Sequence, residues 1–117
     1  MIDQISAAYN SGDIDALVVL CRPDIVYWSA AGGFRGGVDA VREHLDLLHQ
    51  AAPGQRMRTK TVVAGEDLVV AEFEVTGTNL AEEGYSINFT AVLELHNGRV
   101  ATATIYFDPE EIERALT

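Results

Sequence analysis

Residues 84–108, GYSINFTAVLELHNGRVATATIYFD, show the clearest hydrophobic pattern in the sequence. From residue 87 to residue 95 every odd position is apolar, and every even position is polar except Val92. After Asn97-Gly98 the alternation resumes, with apolar residues at the odd positions from 101 to 107. A period of two is typical of a strand with one buried face. The pattern therefore predicts a long antiparallel hairpin whose apolar face the rest of the chain must cover.

The turn of this hairpin determines which residues lie opposite each other. A two-residue turn at Asn97-Gly98 would pair odd positions with even ones and place apolar residues opposite polar ones. A three-residue loop, His96-Asn97-Gly98 with Gly98 as a bulge, pairs odd positions with odd ones. We therefore predict the three-residue loop.

The composition restricts the classes of function that the chain can have. Its 117 residues predict one domain, 1–117, with a single core. The net charge of −10 disfavours nucleic acid and anionic membranes as partners. A single cysteine, Cys21, and the absence of a long apolar run favour a cytoplasmic location. The three histidines lack the spacing of metal ligands, so we expect no metal and no cofactor.

The remaining segments supply elements that can cover the hairpin. Asp13 is the expected N-cap of the second helix. The glycine-rich segment Ala30–Gly37 is predicted to be a mobile loop that acts as a lid, with Phe34 as its plug. The expected order is α-α-β-α-β-β-β-β-α, with helices at 2–10, Ile14–Cys21, Val38–Gln50 and Pro109–Leu116, and the first three strands at Ile25–Ser29, Met57–Ala64 and Leu68–Gly77.

Four short motifs carry a resemblance to a known family: Tyr9-Asn10-Ser11-Gly12-Asp13, Arg35-Gly36 leading into Ala40-Val41-Arg42, Asn97-Gly98-Arg99-Val100 and Tyr106-Phe107-Asp108. With this element order, the chain resembles the SnoaL-like domains of the NTF2-like superfamily. That group includes polyketide cyclases and is related to ketosteroid isomerase and limonene epoxide hydrolase. The resemblance implies an α+β fold, a cone-shaped barrel whose strongly bent, mostly antiparallel sheet packs on helices.

The catalytic residues of ketosteroid-isomerase-like members do not carry over. Their helix-1 tyrosine aligns with Ile5. Their general-base aspartate aligns with Trp28 or Ser29, and their protonated aspartate aligns near Ala91. The resemblance therefore implies a different mechanism, because none of these positions holds the required side chain.

Other residues are candidates for chemistry at the open end of the cone. His44 is a candidate general base, or a half-exposed residue at the flank of its helix. Tyr9 is a candidate hydrogen-bond donor, or a core aromatic with its hydroxyl at the rim. Trp28 is a candidate pocket wall, since Tyr27 and Trp28 alternate and only one can face inward. The expected lining of the cavity comprises Trp28, Phe34, Leu48, Phe73, Phe89, Leu93, Ile105 and Phe107.

These expectations lead to two alternative functions. The first is acid–base catalysis, namely cyclisation, isomerisation or dehydration, on a hydrophobic polyketide- or terpenoid-like compound. The second is a ligand-binding or accessory domain without turnover. The even-numbered face of the hairpin has few charges, and NTF2-like proteins often dimerise through this convex surface. We therefore expect a homodimer whose interface includes Asn88, Thr90, Thr102, Thr104 and Tyr106.

Overall fold

The computed structural model describes residues 1–30 and 32–116. The helices are α1 (Ile2–Ser11), α2 (Ile14–Val18), α3 (Val38–Ala51) and α4 (Pro109–Leu116). The strands are β1 (Cys21–Ser29), β2 (Gly33–Gly36), β3 (Arg56–Ala64), β4 (Leu68–Thr78), β5 (Gly84–His96) and β6 (Arg99–Tyr106). They form one sheet in the order β2-β1-β6-β5-β4-β3, in which only the β1–β6 pair is parallel. The α+β class with a mostly antiparallel sheet is confirmed.

The β5–β6 hairpin has the predicted pairing of odd with odd positions along most of its length. Ala91 lies opposite Ile105, and Leu93 lies opposite Ala103. These residues belong to the face that packs against the helices, which we call the inner face. Its core is closely packed, and Ile87 is only 1% exposed. The alternation therefore identified both the strands and their buried side.

The predicted three-residue loop of this hairpin is wrong. His96 pairs with Arg99 across a two-residue turn at Asn97-Gly98, with φ values of 53° and 78°. Positive φ at both central residues is the geometry of a type I′ turn, for which Asn-Gly is a preferred sequence. The register then shifts beyond Leu95, where Ala101 is the extra residue. This irregularity within β6, rather than a longer loop, restores the odd-with-odd pairing.

Local signals mark the end of α1 and the start of α2. Gly12, with a φ of 72°, ends α1 in the left-handed conformation. The Asp13 side chain accepts a hydrogen bond from the Ala16 amide at 3.0 Å, so the predicted N-cap of α2 is confirmed. The helix ends at Val18 and not at Cys21, because Cys21 already pairs with β6. The strand β1 is thus four residues longer at its start than predicted.

The segment Ala30–Gly37 contains a strand and is not a mobile loop over its whole length, as predicted; Ala31 lies outside the described residues. Its residues 33–36 form β2, which pairs with β1 in an antiparallel ladder. Gly33 and Gly37 have φ values of 67° and 88°, so glycine is needed where the chain enters and leaves the strand. Phe34, between them, points outward from this edge strand and is 77% exposed. None of the described helices is long and apolar enough to span a membrane.

Candidate functional site

Tyr27, not Trp28, is the aromatic residue of β1 that faces the helices. Its exposed fraction is 8%, and it belongs to the same core cluster as Ile25, two residues earlier. Trp28 lies on the opposite face, where its ring contacts the Tyr106 ring with centroids 5.5 Å apart. The orientation predicted from the sequence is therefore reversed. Ile25 sets the alternation of this strand, and residues 27 and 29 share its side.

The outer face of the sheet, turned away from the helices, carries an aromatic cleft of about 220 Å³. Its lining residues are Trp28, Phe34, Thr104 and Tyr106. Two residues expected at the inner cavity, Trp28 and Phe34, are thus on the other side of the sheet. Phe34 pairs with Trp28 across β1 and β2, so a shared ladder position brings them together.

His44 lies on α3 against the ring of Tyr27. The two ring centroids are 5.3 Å apart and the planes are inclined by 55°. The imidazole is half-buried, and this burial, together with the positive charge of Arg35, lowers the pKa of His44. It is therefore neutral at pH 7 and retains one acceptor nitrogen. Within residues 1–30 and 32–116, neither ring nitrogen has a hydrogen-bond partner.

Arg35 and Tyr27 share the inner face because they are directly opposite each other across β1 and β2. Burial raises the pKa of Tyr27 to about 12, with Arg35 lowering it and Tyr9 raising it further. Among the described residues, the Tyr27 hydroxyl has no hydrogen-bond partner. These side chains form what we call the His44 cluster: His44, Tyr27 and Arg35. It combines a neutral base, an unpaired hydroxyl and a cation.

Tyr9 contacts the second histidine of α3 and not His44. The rings of Tyr9 and His49 have centroids 4.9 Å apart, and the His49 Nε2 atom lies 3.1 Å from the Tyr9 carbonyl oxygen. The predicted meeting of His44, Tyr9 and Trp28 is therefore not what the structure shows. Tyr9 is still close enough to the His44 cluster for its charge to raise the pKa of Tyr27.

The Tyr9 hydroxyl begins a chain of hydrogen bonds across three elements. It donates to Gln55 Oε1 at 2.6 Å, and Gln55 Nε2 donates to the Tyr85 hydroxyl oxygen at 2.7 Å. We call these three residues the Tyr9 relay. Burial, and to a lesser degree Tyr85, raises the pKa of Tyr9 to about 12. Sequence reasoning missed Gln55 and Tyr85, although Tyr85 shares the odd-numbered inner positions of β5.

The residues predicted to line one apolar cavity differ in burial and location. Phe73 and Leu93 are core residues, only 3% and 4% exposed, in the cluster under the helices. The rings of Phe89 and Phe107 contact each other with centroids 5.1 Å apart. The inner-side members that retain exposed surface are Leu48, Phe89, Ile105 and Phe107. Partly exposed ring surface on the inner side therefore comes mainly from the two phenylalanines.

A second cleft of about 240 Å³ lies among α2, β1, α3 and β6. Its lining residues are Val18, Val19, Cys21, Pro23, Val38, Asp39, Arg42 and Arg99. Burial raises the pKa of the Cys21 thiol, which therefore stays protonated at pH 7. Arg42 forms an ion pair with Asp15. In the described part of the chain, no three His, Cys, Asp or Glu side chains are grouped as metal ligands.

Comparison with known proteins identifies the family. The family model of the SnoaL-like domain matches residues 2–103. The chain belongs to this family. A search of curated proteins finds none that matches. The SnoaL-like assignment agrees with the open sheet and helices described above.

Solved structures show that this SnoaL-like chain shares its fold with several proteins. One is an NTF2-like protein of unknown function from Burkholderia pseudomallei, with 19% identity, a TM-score of 0.89, and coverage of 99% of this chain and 94% of the other. Another is TerC, co-crystallised with polyporic acid, with 18% identity, a TM-score of 0.86, and coverage of 97% and 93%. A third is a candidate SnoaL-like polyketide cyclase from Jannaschia sp. CCS1, with 14% identity, a TM-score of 0.83, and coverage of 98% and 90%.

Proposed function

We propose that this SnoaL-like protein binds a hydrophobic, polyketide- or terpenoid-like small molecule at the inner face. We further propose that it performs acid–base chemistry there, namely a cyclisation, an isomerisation or a dehydration. His44 is the general base of this proposal. The proposal requires no metal ion and no cofactor, because proton transfer and charge stabilisation both come from side chains.

The observation that carries the proposal is the environment of His44. A half-buried imidazole with a lowered pKa is deprotonated at pH 7, so it can accept a proton from a substrate. Its contact with Tyr27 holds the ring at the inner face. In the described part of the chain its nitrogens have no protein partner, so they remain available to a ligand.

The charges around His44 suit the removal of a proton from carbon next to a carbonyl group. When His44 takes that proton, the substrate becomes an enolate and the imidazole becomes a cation. Arg35 then lies near a developing negative charge that it can stabilise, and the neutral Tyr27 hydroxyl can donate to the enolate oxygen. In the dehydration of a β-hydroxy ketone, the imidazolium formed by this proton removal can give the proton to the β-hydroxyl, whose C–O bond breaks so that water leaves as the enolate collapses to an enone.

Two of the structural neighbours support a hydrophobic cyclic ligand. TerC was crystallised with polyporic acid, and the Jannaschia protein is described as a candidate polyketide cyclase. In this chain, Phe89 and Phe107 offer partly exposed ring surface on the same side as His44. Apolar walls with few polar groups are typical of pockets for such compounds.

The test uses 2-tetralone, a hydrophobic bicyclic ketone, because enolisation exchanges its α-protons with solvent. We expect the protein to accelerate α-deuterium exchange in heavy water, followed by proton NMR. Saturable binding of 2-tetralone without faster exchange would contradict catalysis and support the alternative of a non-catalytic binding domain. That alternative is favoured by the resemblance, which aligns the carboxyl groups of ketosteroid-isomerase-like enzymes with Trp28 or Ser29 and with a position near Ala91, none of which carries a carboxyl group.

We also propose that the protein forms a homodimer through its outer face. Phe34 and Tyr106 are 77% and 51% exposed there, and both line the aromatic cleft. The interface that we propose includes Asn88, Thr90, Thr102, Thr104 and Tyr106. Covering these rings with a second copy removes apolar surface from water.

The dimer is tested by light scattering at tens of micromolar protein. We expect twice the monomer mass of 12.7 kDa for the wild type, and the monomer mass for Tyr106→Glu. The matched control is Leu80→Glu, which adds the same charge at a side chain that is fully exposed in the 79–83 turn. A wild-type mass of 12.7 kDa would contradict the proposal.

A further inference from the structure

The Tyr9 relay joins parts of the chain that are far apart in sequence. Tyr9 lies in the last turn of α1, Gln55 precedes β3, and Tyr85 is near the start of β5. The two hydrogen bonds, at 2.6 Å and 2.7 Å, are short and link residues 46 and 30 positions apart. All three side chains are half-buried, so the relay lies at the border between core and solvent.

A count of hydrogens shows which member of the relay can bind a ligand. A tyrosine hydroxyl has one hydrogen to donate. The Tyr9 hydrogen is used by Gln55 Oε1, and Gln55 uses one amide hydrogen on the Tyr85 oxygen. In the described part of the chain, the Tyr85 hydroxyl hydrogen has no acceptor. The hydroxyl available for donation therefore belongs to Tyr85 and not to Tyr9.

Gly77 holds the Tyr85 ring in the position that this hydrogen bond requires. The two residues are directly opposite each other in β4 and β5. A Cβ atom at position 77 would lie 2.6 Å from the Tyr85 Cζ atom, closer than carbon atoms can pack. The ring thus lies across the glycine backbone, where only glycine leaves room. Gly77 does not have a positive φ, so space and not backbone conformation requires it.

The surroundings indicate the chemical class of the acceptor. The Tyr9 hydroxyl is neutral at pH 7, because burial raises its pKa further above the ordinary value of 10.0, and its hydrogen stays on Gln55 Oε1. Along β5, Phe89 lies on the same face as Tyr85, four residues or about 13 Å away. A donor hydroxyl at one end and aromatic surface at the other fit an oxygen acceptor on an apolar ring system.

We propose that Tyr85 donates a hydrogen bond to a carbonyl or enolate oxygen of the ligand, with Gln55 and Gly77 as positioning residues. The proposal rests on the proposed function, because it assumes a hydrophobic ligand at the inner face. It replaces Tyr9, the donor expected from the sequence, with a residue that the relay leaves free. The ligand class is accordingly a ring ketone, a quinone or an enolate.

The test compares two probes of nearly equal shape, 2-acetylnaphthalene and 2-isopropenylnaphthalene, of which only the first has a carbonyl oxygen. We expect the wild type to bind the ketone roughly three- to tenfold more tightly, the ratio typical of one neutral hydrogen bond. Tyr85→Phe should reduce this ratio to about one without weakening the alkene. Tyr106→Phe, which removes a hydroxyl on the outer face, is the matched control and should retain the wild-type ratio.

A spectroscopic readout separates hydrogen bonding from a purely structural role. The carbonyl resonance of 13C-labelled 2-acetylnaphthalene moves downfield when its oxygen accepts a hydrogen bond. We expect this shift in the wild type, its loss in Tyr85→Phe, and a smaller shift in Gln55→Met, which frees the Tyr85 ring. A ketone preference that persists in Tyr85→Phe would overturn the assignment. Equal binding of both probes by the wild type would overturn it while leaving the hydrophobic site intact, and no binding of either would overturn both proposals.

Discussion

Replacing Gly77 with alanine tests the packing that holds Tyr85 in place. The new Cβ atom would lie 2.6 Å from Tyr85 Cζ and closer still to the Tyr85 hydroxyl oxygen, whereas ordinary contacts begin near 3.4 Å, so the ring must withdraw by at least about 0.8 Å. That movement stretches the 2.7 Å bond from Gln55 Nε2 beyond normal hydrogen-bond length. The mutation therefore introduces a clash and breaks the relay in one step.

The magnitude follows from three terms. Overpacking costs about 1–3 kcal/mol, and the lost hydrogen bond costs about 1 kcal/mol. Removing a glycine from a strand offsets about 0.5–1 kcal/mol of this. We therefore expect Gly77→Ala to lower the free energy of unfolding by about 2 kcal/mol. Urea unfolding at fixed protein concentration, followed by the fluorescence of Trp28, measures this change.

Gly84→Ala is the matched control for Gly77→Ala. Gly84 also lies in the β4–β5 ladder, but the nearest atom to its added Cβ would be a carbonyl oxygen at 4.0 Å. We expect this control to be neutral or slightly stabilising. In a Tyr85→Val background the cost of Gly77→Ala should largely disappear, because the clashing ring is gone. A Gly77→Ala protein as stable as Gly84→Ala would contradict the close packing of Tyr85 against Gly77.

Three further predictions concern a helix cap, the alkaline limit of stability and an absent activity. Asp13→Ala should lower the free energy of unfolding by about 1 kcal/mol in urea, because α2 loses its side-chain cap. Burial raises the pKa of Tyr9 and of Tyr27 to about 12, so the stability that the two neutral hydroxyls contribute should be complete below pH 10 and lost as the pH rises through 12. Chemical denaturation at increasing pH measures this loss of stability, which should be smaller in Tyr27→Phe. If Ser29 and Ala91 occupy the positions of the two carboxyl groups, Δ5-3-ketosteroid isomerisation should proceed near the background rate. Robust turnover in a spectrophotometric assay would show that this alignment is shifted.

The parts of the fold that sequence reasoning predicted depend on local signals. Alternation of apolar residues identified β5 and β6, because successive side chains of a strand point to opposite faces and the pattern is visible within a few consecutive residues. Gly12 and Asp13 marked the α1–α2 boundary for the same reason, since a left-handed residue and a capping carboxylate act within one turn. Pro109 likewise marked the start of α4, which begins at that residue.

The parts that it could not predict depend on contacts between distant segments. The strand β2 has four residues, two of them glycines, and it is a strand only because β1 offers a ladder to it. The inward side of β1 could not be decided from Tyr27 and Trp28 alone, because both are aromatic. The Tyr9 relay could not be predicted either. No sequence pattern around Gln55 indicates its hydrogen-bond partners, which are brought to it by the packing of α1 and β5.

The role of His44 as general base is tested by the pH dependence of 2-tetralone α-proton exchange in the wild type and in His44→Gln. We expect the wild-type rate to rise through an apparent pKa below 6.5 and then level off, because burial and Arg35 favour the neutral imidazole. His44→Gln should lose about 10²- to 10⁴-fold of the acceleration, the usual contribution of a general base, whereas His96→Gln, at the exposed hairpin turn, should retain it. An unchanged rate and pH profile in His44→Gln would contradict the assignment of His44 as the base.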